Sequence, residues 1–392
     1  MITRDQIARA AAERLSVVSD DELRRLRAVV GFDGFIDSII RPVARRRSMA
    51  ADDFEPIGTI TEFAQRCAHA AGKSTNIELH TVERRFGGNG PLMAGAMGRL
   101  GLGVTYIGAV GQAGRPSELD ALYEPLRERC ERVVPIAPAA GTDALEFEDG
   151  KIMLGKPASV QSVTWERVKQ AIGLDELTRL VDRAAIVAVV NWVMMAGVEG
   201  IWQGLFEEVG PRLSSNPRRG AFVDLCDPAK RTDEDLSRAL GLLGRLDTVL
   251  PVTLGLNESE ADRIAAVCGL EEKAAASPPV SLAERSEARA TGIREALGIA
   301  CCVVHPREGA AAATESESAW FAGPFTPKPK LSTGAGDHFN GGFAAGRALG
   351  LPLAESLAVA CATSGVYVRE AASPTRDALV RFLRDLPPPT DS

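Results

Sequence analysis

The chain has 392 residues, 45% of them apolar and 25% charged, with a formal net charge of −7. This is the profile of an ordinary globular protein with room for a large core. The densest basic cluster is Arg45 to Arg47, far short of the broad basic face that nucleic acid requires, so no nucleic-acid partner is expected.

The N-terminus, Met1 to Arg27, interleaves acids and bases and lacks the apolar core of a secretory signal. Residues 1–27 read as an N-terminal helical extension, in which Ser19 and Glu22 form a capping-box pattern opening a helix over Asp20–Leu26. Short β-rich apolar runs follow at Ala28–Gly31, Val104–Val110, Ile186–Val190, Ala221–Leu225, Asp247–Val252 and Ala300–His305. Helical stretches lie between them, among them Pro91–Leu100, Ile201–Val209, Asp233–Arg245, Glu258–Val267 and Ala283–Leu297. Buried runs separated by helices predict an α/β fold with a mostly parallel sheet covered on both faces.

Three regions break that alternation. Residues 37–47, 76–86 and 143–155 alternate polar and apolar, with a hairpin turn at Asp149-Gly150, and predict a small antiparallel sheet standing apart as a lid. Residues 270–284, rich in Ala, Glu, Ser and Pro, read as a surface insertion, and residues 387–392 as a loose tail. The longest apolar stretch, Ala184 to Gly197, is too short to span a bilayer. Seven scattered cysteines without a C-x-x-C pair argue for a reduced, cytoplasmic setting.

The strongest local signal is Ser332-Thr-Gly-Ala-Gly-Asp337-His-Phe-Asn-Gly-Gly-Phe343. A Gly-Ala-Gly turn feeding a helix over Phe339–Leu349 leaves main-chain N–H groups without intrahelical partners, a site for phosphate or another anion. Asp337 then reads two ways. It is either an acid stabilising a helix dipole or a general base beside an anion hole, taking the proton of a hydroxyl that attacks a phosphoryl group.

Asn257-Glu-Ser-Glu260 opens another helix after a strand. It is either a cap with acids in the first turn or a place where an amide and a carboxylate hold nucleotide phosphates and Mg²⁺ through water. Asp33 and Asp37 follow the first strand and could accept hydrogen bonds from substrate hydroxyls. Gly87-Gly88-Asn89-Gly90 offers main-chain amides and one side-chain amide ahead of a helix. His338 and His305 are not spaced as metal ligands, and Trp192, Met194 and Met195 read as core or pocket wall.

In order along the chain stand an Asp after the first strand, Gly87-Gly88, Gly108-Ala-Val-Gly111, Asp227-Pro228, Asn257-x-x-Glu260 and Thr333-Gly-Ala-Gly-Asp337-x-Phe-x-x-Gly342-Phe. This set resembles the PfkB, or ribokinase-like, carbohydrate kinase family from about Val29 to Phe382. The resemblance implies a three-layer α/β/α kinase domain over residues 28–386, with a mostly parallel central sheet and a small β lid. It implies ATP and Mg²⁺ as cofactors and a sugar or related polyol as substrate; a lid sheet can also make homodimer contacts in such folds.

Asp337 would be the catalytic base, with the Gly334, Ala335 and Gly336 amides as anion hole. Asn257, Glu260 and Thr333 would serve the nucleotide, Glu260 meeting the metal through water. Asp37, or Asp33 in its place, would bind sugar with Gly88, Asn89 and Asn191. The chain departs from the family pattern at Leu331, which cannot ligate a cation through its side chain and leaves monovalent-cation dependence open. It departs again at Pro306 and Ala371, where glycines are expected on the nucleotide side. Leu92 and Asn191 argue against ribose itself.

Overall fold

The computed structural model describes residues 2–270 and 281–389. Of the expected surface insertion, residues 271–280 lie outside these, as do residues 390–392 of the tail.

Two helices, α1 (Arg4–Val17) and α2 (Asp20–Arg25), precede the first strand. Both start at reciprocal capping boxes, Thr3 with Gln6 and Ser19 with Glu22. Among the described residues the main sheet has nine strands. Five of them, β1 (Arg27–Phe32), β5 (Gly103–Gly108), β11 (Ala184–Val190), β12 (Gly220–Asp224) and β13 (Val252–Leu256), form its centre. The others are β8 (Arg132–Pro135), β14 (Cys301–Val304), β15 (Gly309–Thr314) and β16 (Ser318–Ala322). The full order is β16-β15-β14-β13-β12-β11-β1-β5-β8. Pairing is parallel from β8 to β14, and only β14-β15-β16 runs antiparallel.

The side-chain period of two divides each central strand between two cores. Val29, Val187, Val223 and Leu254 face one layer of helices, which includes α9 (Asp233–Asp247), α10 (Glu258–Val267) and α11 (Leu282–Leu297). Val30, Ala188, Phe222 and Val303 face the other layer, which includes α4 (Asn89–Leu100), α12 (Ala335–Ala348), α13 (Leu353–Glu370) and α14 (Arg376–Arg384). The result is the expected three-layer α/β/α arrangement. α1 joins the second layer, burying Ala8, Ala11, Ala12 and Leu15 against α13 and α14.

A second, five-stranded sheet stands apart. It is built from β2 (Phe35–Arg46), β3 (Phe54–Pro56), β4 (Leu79–Gly87), β9 (Ala140–Phe147) and β10 (Gly150–Lys156). Its order is β10-β9-β2-β3, with β4 also pairing β2. All three polar–apolar segments noted in the sequence lie in it, and one pair, β2 with β9, is parallel.

One strand differs from expectation. In place of Asp247–Val252, helix α9 continues through Asp247 and the strand begins at Val252. Pro251 has no N–H to give a central ladder. The Asp247 carboxylate instead accepts from the main-chain N–H groups of Val252 and Ala300, each at 2.7 Å, and ties the starts of two neighbouring strands. α12 also starts earlier than read, at Ala335, so Asp337 lies inside its first turn.

Candidate active site

The parallel strands β1, β11, β12 and β13 end on one side of the sheet, the edge where ligands of such folds collect. The first turn of α12 arrives at the same place. Gly334 adopts φ 89°, and a Cβ there would lie 2.9 Å from Leu92 Cδ1 and 3.0 Å from the Tyr367 hydroxyl, so conformation and room both demand glycine. Gly336 is different. A Cβ there would meet nothing closer than His305 Cε1 at 3.6 Å, an ordinary contact, so the protein itself would accept a methyl.

The three amides expected to form an anion hole are not equivalent. The Ala335 N–H donates to the Ser332 carbonyl at 3.1 Å. Gly336 and Asp337, within the first turn, are left with N–H groups that have no intrahelical acceptor. The Ala335 N–H is therefore engaged within the turn, whereas those of Gly336 and Asp337 have no acceptor in the helix. Thr333 lends its carbonyl to the Tyr367 hydroxyl at 2.8 Å.

Four carboxylates converge around this turn. Asp337 is 8% exposed, and its Oδ1 accepts from Asn89 Nδ2 at 2.9 Å. Burial, then the charges of Asp224 and Asp33, push its pKa well above the usual carboxylate range, while the Asn89 hydrogen bond opposes them. Asp33 is fully buried; it accepts from the main-chain N–H groups of Asn89 (2.9 Å) and Gly90 (2.8 Å) and from Asn191 Nδ2 (2.8 Å). Burial raises it to about 6 despite those donors.

Asp224, at the end of β12, accepts from the Cys226 N–H at 2.8 Å and from Asn340 Nδ2 at 2.6 Å. Burial and the nearby Glu260 raise it to about 8. Glu260 accepts from the N–H groups of Asn257 and Asp227, both at 2.9 Å, and Asn257 Oδ1 accepts the Glu260 N–H in return at 3.0 Å. Asn257 and Glu260 are thus a reciprocal helix cap that also pins the turn after β12, where Cys226 and Asp227 have φ 60° and 58°.

The residues expected to meet sugar separate into two sets. Asp33 and Asn191 are locked together, and Asn191, at φ 65°, also accepts the Met194 N–H at 3.3 Å. These contacts make the pair a clasp between β1 and β11 rather than a free binding edge. Gly88, at φ 100°, turns the chain into α4 with Gly34 Cα 3.2 Å from where its Cβ would stand. Asp37 is held differently, on β2 of the small sheet. It lies opposite Arg85 of β4 and Thr142 of β9 and is 7% exposed. Burial raises its pKa and the Arg85 charge draws it down. Asn89 links the two sets, its main-chain N–H on Asp33 and its side chain on Asp337.

A cavity of about 300 Å³ lies against the other side of the turn, lined by Asn257, His305, Pro306, Phe325, Gly336 and Ser364 among others. The Arg307 guanidinium lies 5.8 Å from the centre of the Phe325 ring. Ala371 holds the left-handed position that ends α13, at φ 55°, and does not line the cavity. Among the described residues no group of three or more His, Cys, Asp or Glu side chains could hold a metal ion directly.

Three buried side chains around the turn carry no clear signal in the sequence. Asp224 and Asn340 form a buried pair across 116 residues; the only hint was an acid ending an apolar strand and an amide one turn beyond Asp337. His338, which is not spaced as a metal ligand, has Nδ1 2.8 Å from the Gly334 carbonyl oxygen and Nε2 2.7 Å from Ser373 Oγ.

A three-layer α/β/α domain with a small, mostly antiparallel sheet beside it, and a glycine turn carrying a buried acid at the strand ends, define the ribokinase-like class of carbohydrate kinases. Among solved structures the chain resembles Arabidopsis thaliana ribokinase complexed with ribose and ATP (TM-score 0.59, 17% identity, 91% of this chain and 98% of that one). It also resembles a mutant of Escherichia coli phosphofructokinase-2 (TM-score 0.60, 15% identity, 92% and 99%); at such identities the likeness is one of fold. Sequence carries it further. The chain is 30% identical over 386 residues to a ketohexokinase of Haloferax volcanii, covering 97% of both chains. The family model for prokaryotic ketohexokinase matches residues 3–386, and the chain belongs to that family. It is a carbohydrate kinase, a phosphotransferase with an alcohol acceptor. No helix of the described residues is long and apolar enough to cross a membrane.

Proposed function

We propose that the protein transfers the γ-phosphoryl group of ATP to a hydroxymethyl oxygen of a ketohexose, with Asp337 as general base. The observation that carries this reading is the position of Asp337. Its carboxylate shares one helical turn with the unengaged Gly336 and Asp337 N–H groups, and the 300 Å³ cavity adjoins that turn.

The acceptor oxygen attacks phosphorus, its proton passes to Asp337, and the bond from phosphorus to the ADP oxygen breaks. Phosphoryl transfer needs positioning and charge stabilisation above all. The Gly336 and Asp337 amides supply donors towards the phosphoryl oxygens without reorganising. A base buried among like charges binds the proton more tightly than an exposed carboxylate would, which suits a group that must accept one near neutral pH.

The small sheet acts as a lid, bringing Asp37 and Arg85 over the sugar, and residues 28–386 act as one kinase domain behind the helical extension of residues 1–27. The apolar cavity by Pro306 and Phe325 suits a nucleobase. The Glu260 carboxylate and the Asn257 amide oxygen would hold Mg²⁺ through water, because both already accept main-chain N–H groups. When bound, it neutralises phosphate charge.

Replacing Asp337 by Asn should lower kcat by roughly 10²–10⁴ while leaving the melting temperature and sugar affinity near wild type. Coupled ADP release across ketohexoses, aldohexoses and nucleosides measures it, and near-normal turnover in the variant would defeat the assignment.

A further inference from the structure

Directly behind the catalytic turn, two stacked rings take hold of two consecutive carbonyls. The His338 ring lies on that of Tyr367, centroids 3.6 Å apart and planes 14° from parallel. Tyr367 donates its hydroxyl to the Thr333 carbonyl, and His338 places Nδ1 against the Gly334 carbonyl. His338 is 1% exposed.

The hydrogen on the imidazole can be located by elimination. A carbonyl oxygen only accepts, so Nδ1 carries the hydrogen. Burial, with the Arg129 charge adding to it, pulls the ring pKa down to about 4, so the ring is neutral at working pH and Nε2 keeps its lone pair. Ser373 must therefore donate its hydroxyl to Nε2. The other tautomer would set a lone pair against the Gly334 oxygen at 2.8 Å.

Each peptide unit is planar, so a fixed carbonyl fixes the N–H on its far side. The Thr333 and Gly334 carbonyls belong to the peptide planes on either side of the Gly334 α-carbon. Holding both sets the left-handed φ of that residue and, through it, the direction in which α12 begins. By planarity the brace fixes the N–H groups of Gly334 and Ala335, and because the Gly334 carbonyl also accepts the His338 main-chain N–H at 3.1 Å, it bears on the first turn that carries Gly336 and Asp337.

We propose that His338, locked by Ser373 in its Nδ1–H tautomer and stacked on Tyr367, is a positioning residue for phosphoryl transfer. This rests on the phosphotransferase reading above. Ser373 lies in the loop between α13 and α14, so the geometry of the reaction centre depends on a hydroxyl that touches neither reactant.

The protein has four histidines, few enough to assign by ¹⁵N NMR with a His338→Gln comparison. Wild type should show His338 neutral with hydrogen on Nδ1, and Ser373→Ala should disturb that signal. Ser373→Ala and Tyr367→Phe should each lower kcat about three- to tenfold, the worth of one hydrogen bond, with the KM for sugar unchanged. Ser373→Thr, which keeps the hydroxyl, should restore kcat.

An Nε2–H tautomer in wild type, or wild-type kcat in both Ser373→Ala and Tyr367→Phe, overturns the proposal. If Ser373→Ala fails to fold, Tyr367→Phe and the wild-type tautomer decide it. If wild type phosphorylates no sugar, the phosphotransferase reading fails on its own. Calorimetric affinity for ADP then tests the brace: threefold or greater weakening in these variants supports it, and unchanged affinity overturns it.

Discussion

On the floor of the cleft, Asp33, Asp224 and Glu260 are held by main-chain N–H groups and side-chain amides, whereas on the small sheet Asp143 and Glu146 face Lys156 and Lys151. Arg46 of β2 likewise pairs with Glu78. The floor thus fixes its acids with neutral donors and keeps their negative field, which adds to burial in raising the proton affinity of Asp337. The small sheet cancels charge against charge at the surface, where water and salt screen the pairs. Geometry in the first region is set by the fold itself; in the second, the proposed lid, exposed pairs leave it free to adjust.

The two acids after β1 give the sharpest way to break this contrast. Asp33→Ala would leave three donors unpaired, two of them buried, and should cost about 3 kcal/mol or more in unfolding free energy, read by denaturant titration. Asp37→Ala should unfold near the wild-type midpoint but raise the KM for sugar by roughly ten- to a hundredfold, about 1.4–2.8 kcal/mol. Equal destabilisation by both would erase the distinction between clasp and binding edge.

The two glycines of the turn sharpen it further. Gly334→Ala, strained at positive φ and crowded by Leu92 and Tyr367, should lose about 1–2 kcal/mol of stability. Gly336→Ala should keep its stability and instead raise the KM for ATP, because the space above that α-carbon is left to the ligand. A destabilised Gly336→Ala would mean that packing, not phosphate, requires the glycine.

The floor's field also has a pH signature. As the proposed base, Asp337 would work only when ionised, and its pKa is raised, so kcat/KM should fall as pH drops through a value above the usual carboxylate range. Asn89→Ala removes the donor that favours the ionised form, and its acid limb should move to higher pH. A pH–rate profile whose limb lies at an ordinary carboxylate pH would contradict the picture. The smallest effect belongs to the small sheet, where Arg46→Ala should shift the melting temperature by no more than about 1 °C.

Much of the fold was legible because the central strands are continuous apolar runs and the small sheet alternates. The motif ending in Asp337 announced a glycine turn at a helix start. Where the reading fell short, the deciding contacts join distant positions. Nothing local to Asp33 says that Asn191 and the start of α4 saturate it, nor that Asn340 reaches Asp224. The inward turn of the Ala335 N–H depends on where helix α12 begins, a boundary that composition places only loosely. Metal-ligand spacing says nothing of His338, whose partners are a carbonyl one turn back and a hydroxyl 35 residues on.

The main sheet ends on strands that give a stray chain little to grip. β8 has four residues and finishes in Pro135, which has no N–H to offer. β16, at the far side, is packed by α11 and α13. A nine-stranded ladder with such margins resists edge-to-edge aggregation at high protein concentration. The small sheet is less protected, since β10 carries the half-exposed Met153 and Leu154. There Lys151 and Lys156 serve as charged gatekeepers, and neutralising both should lower solubility first.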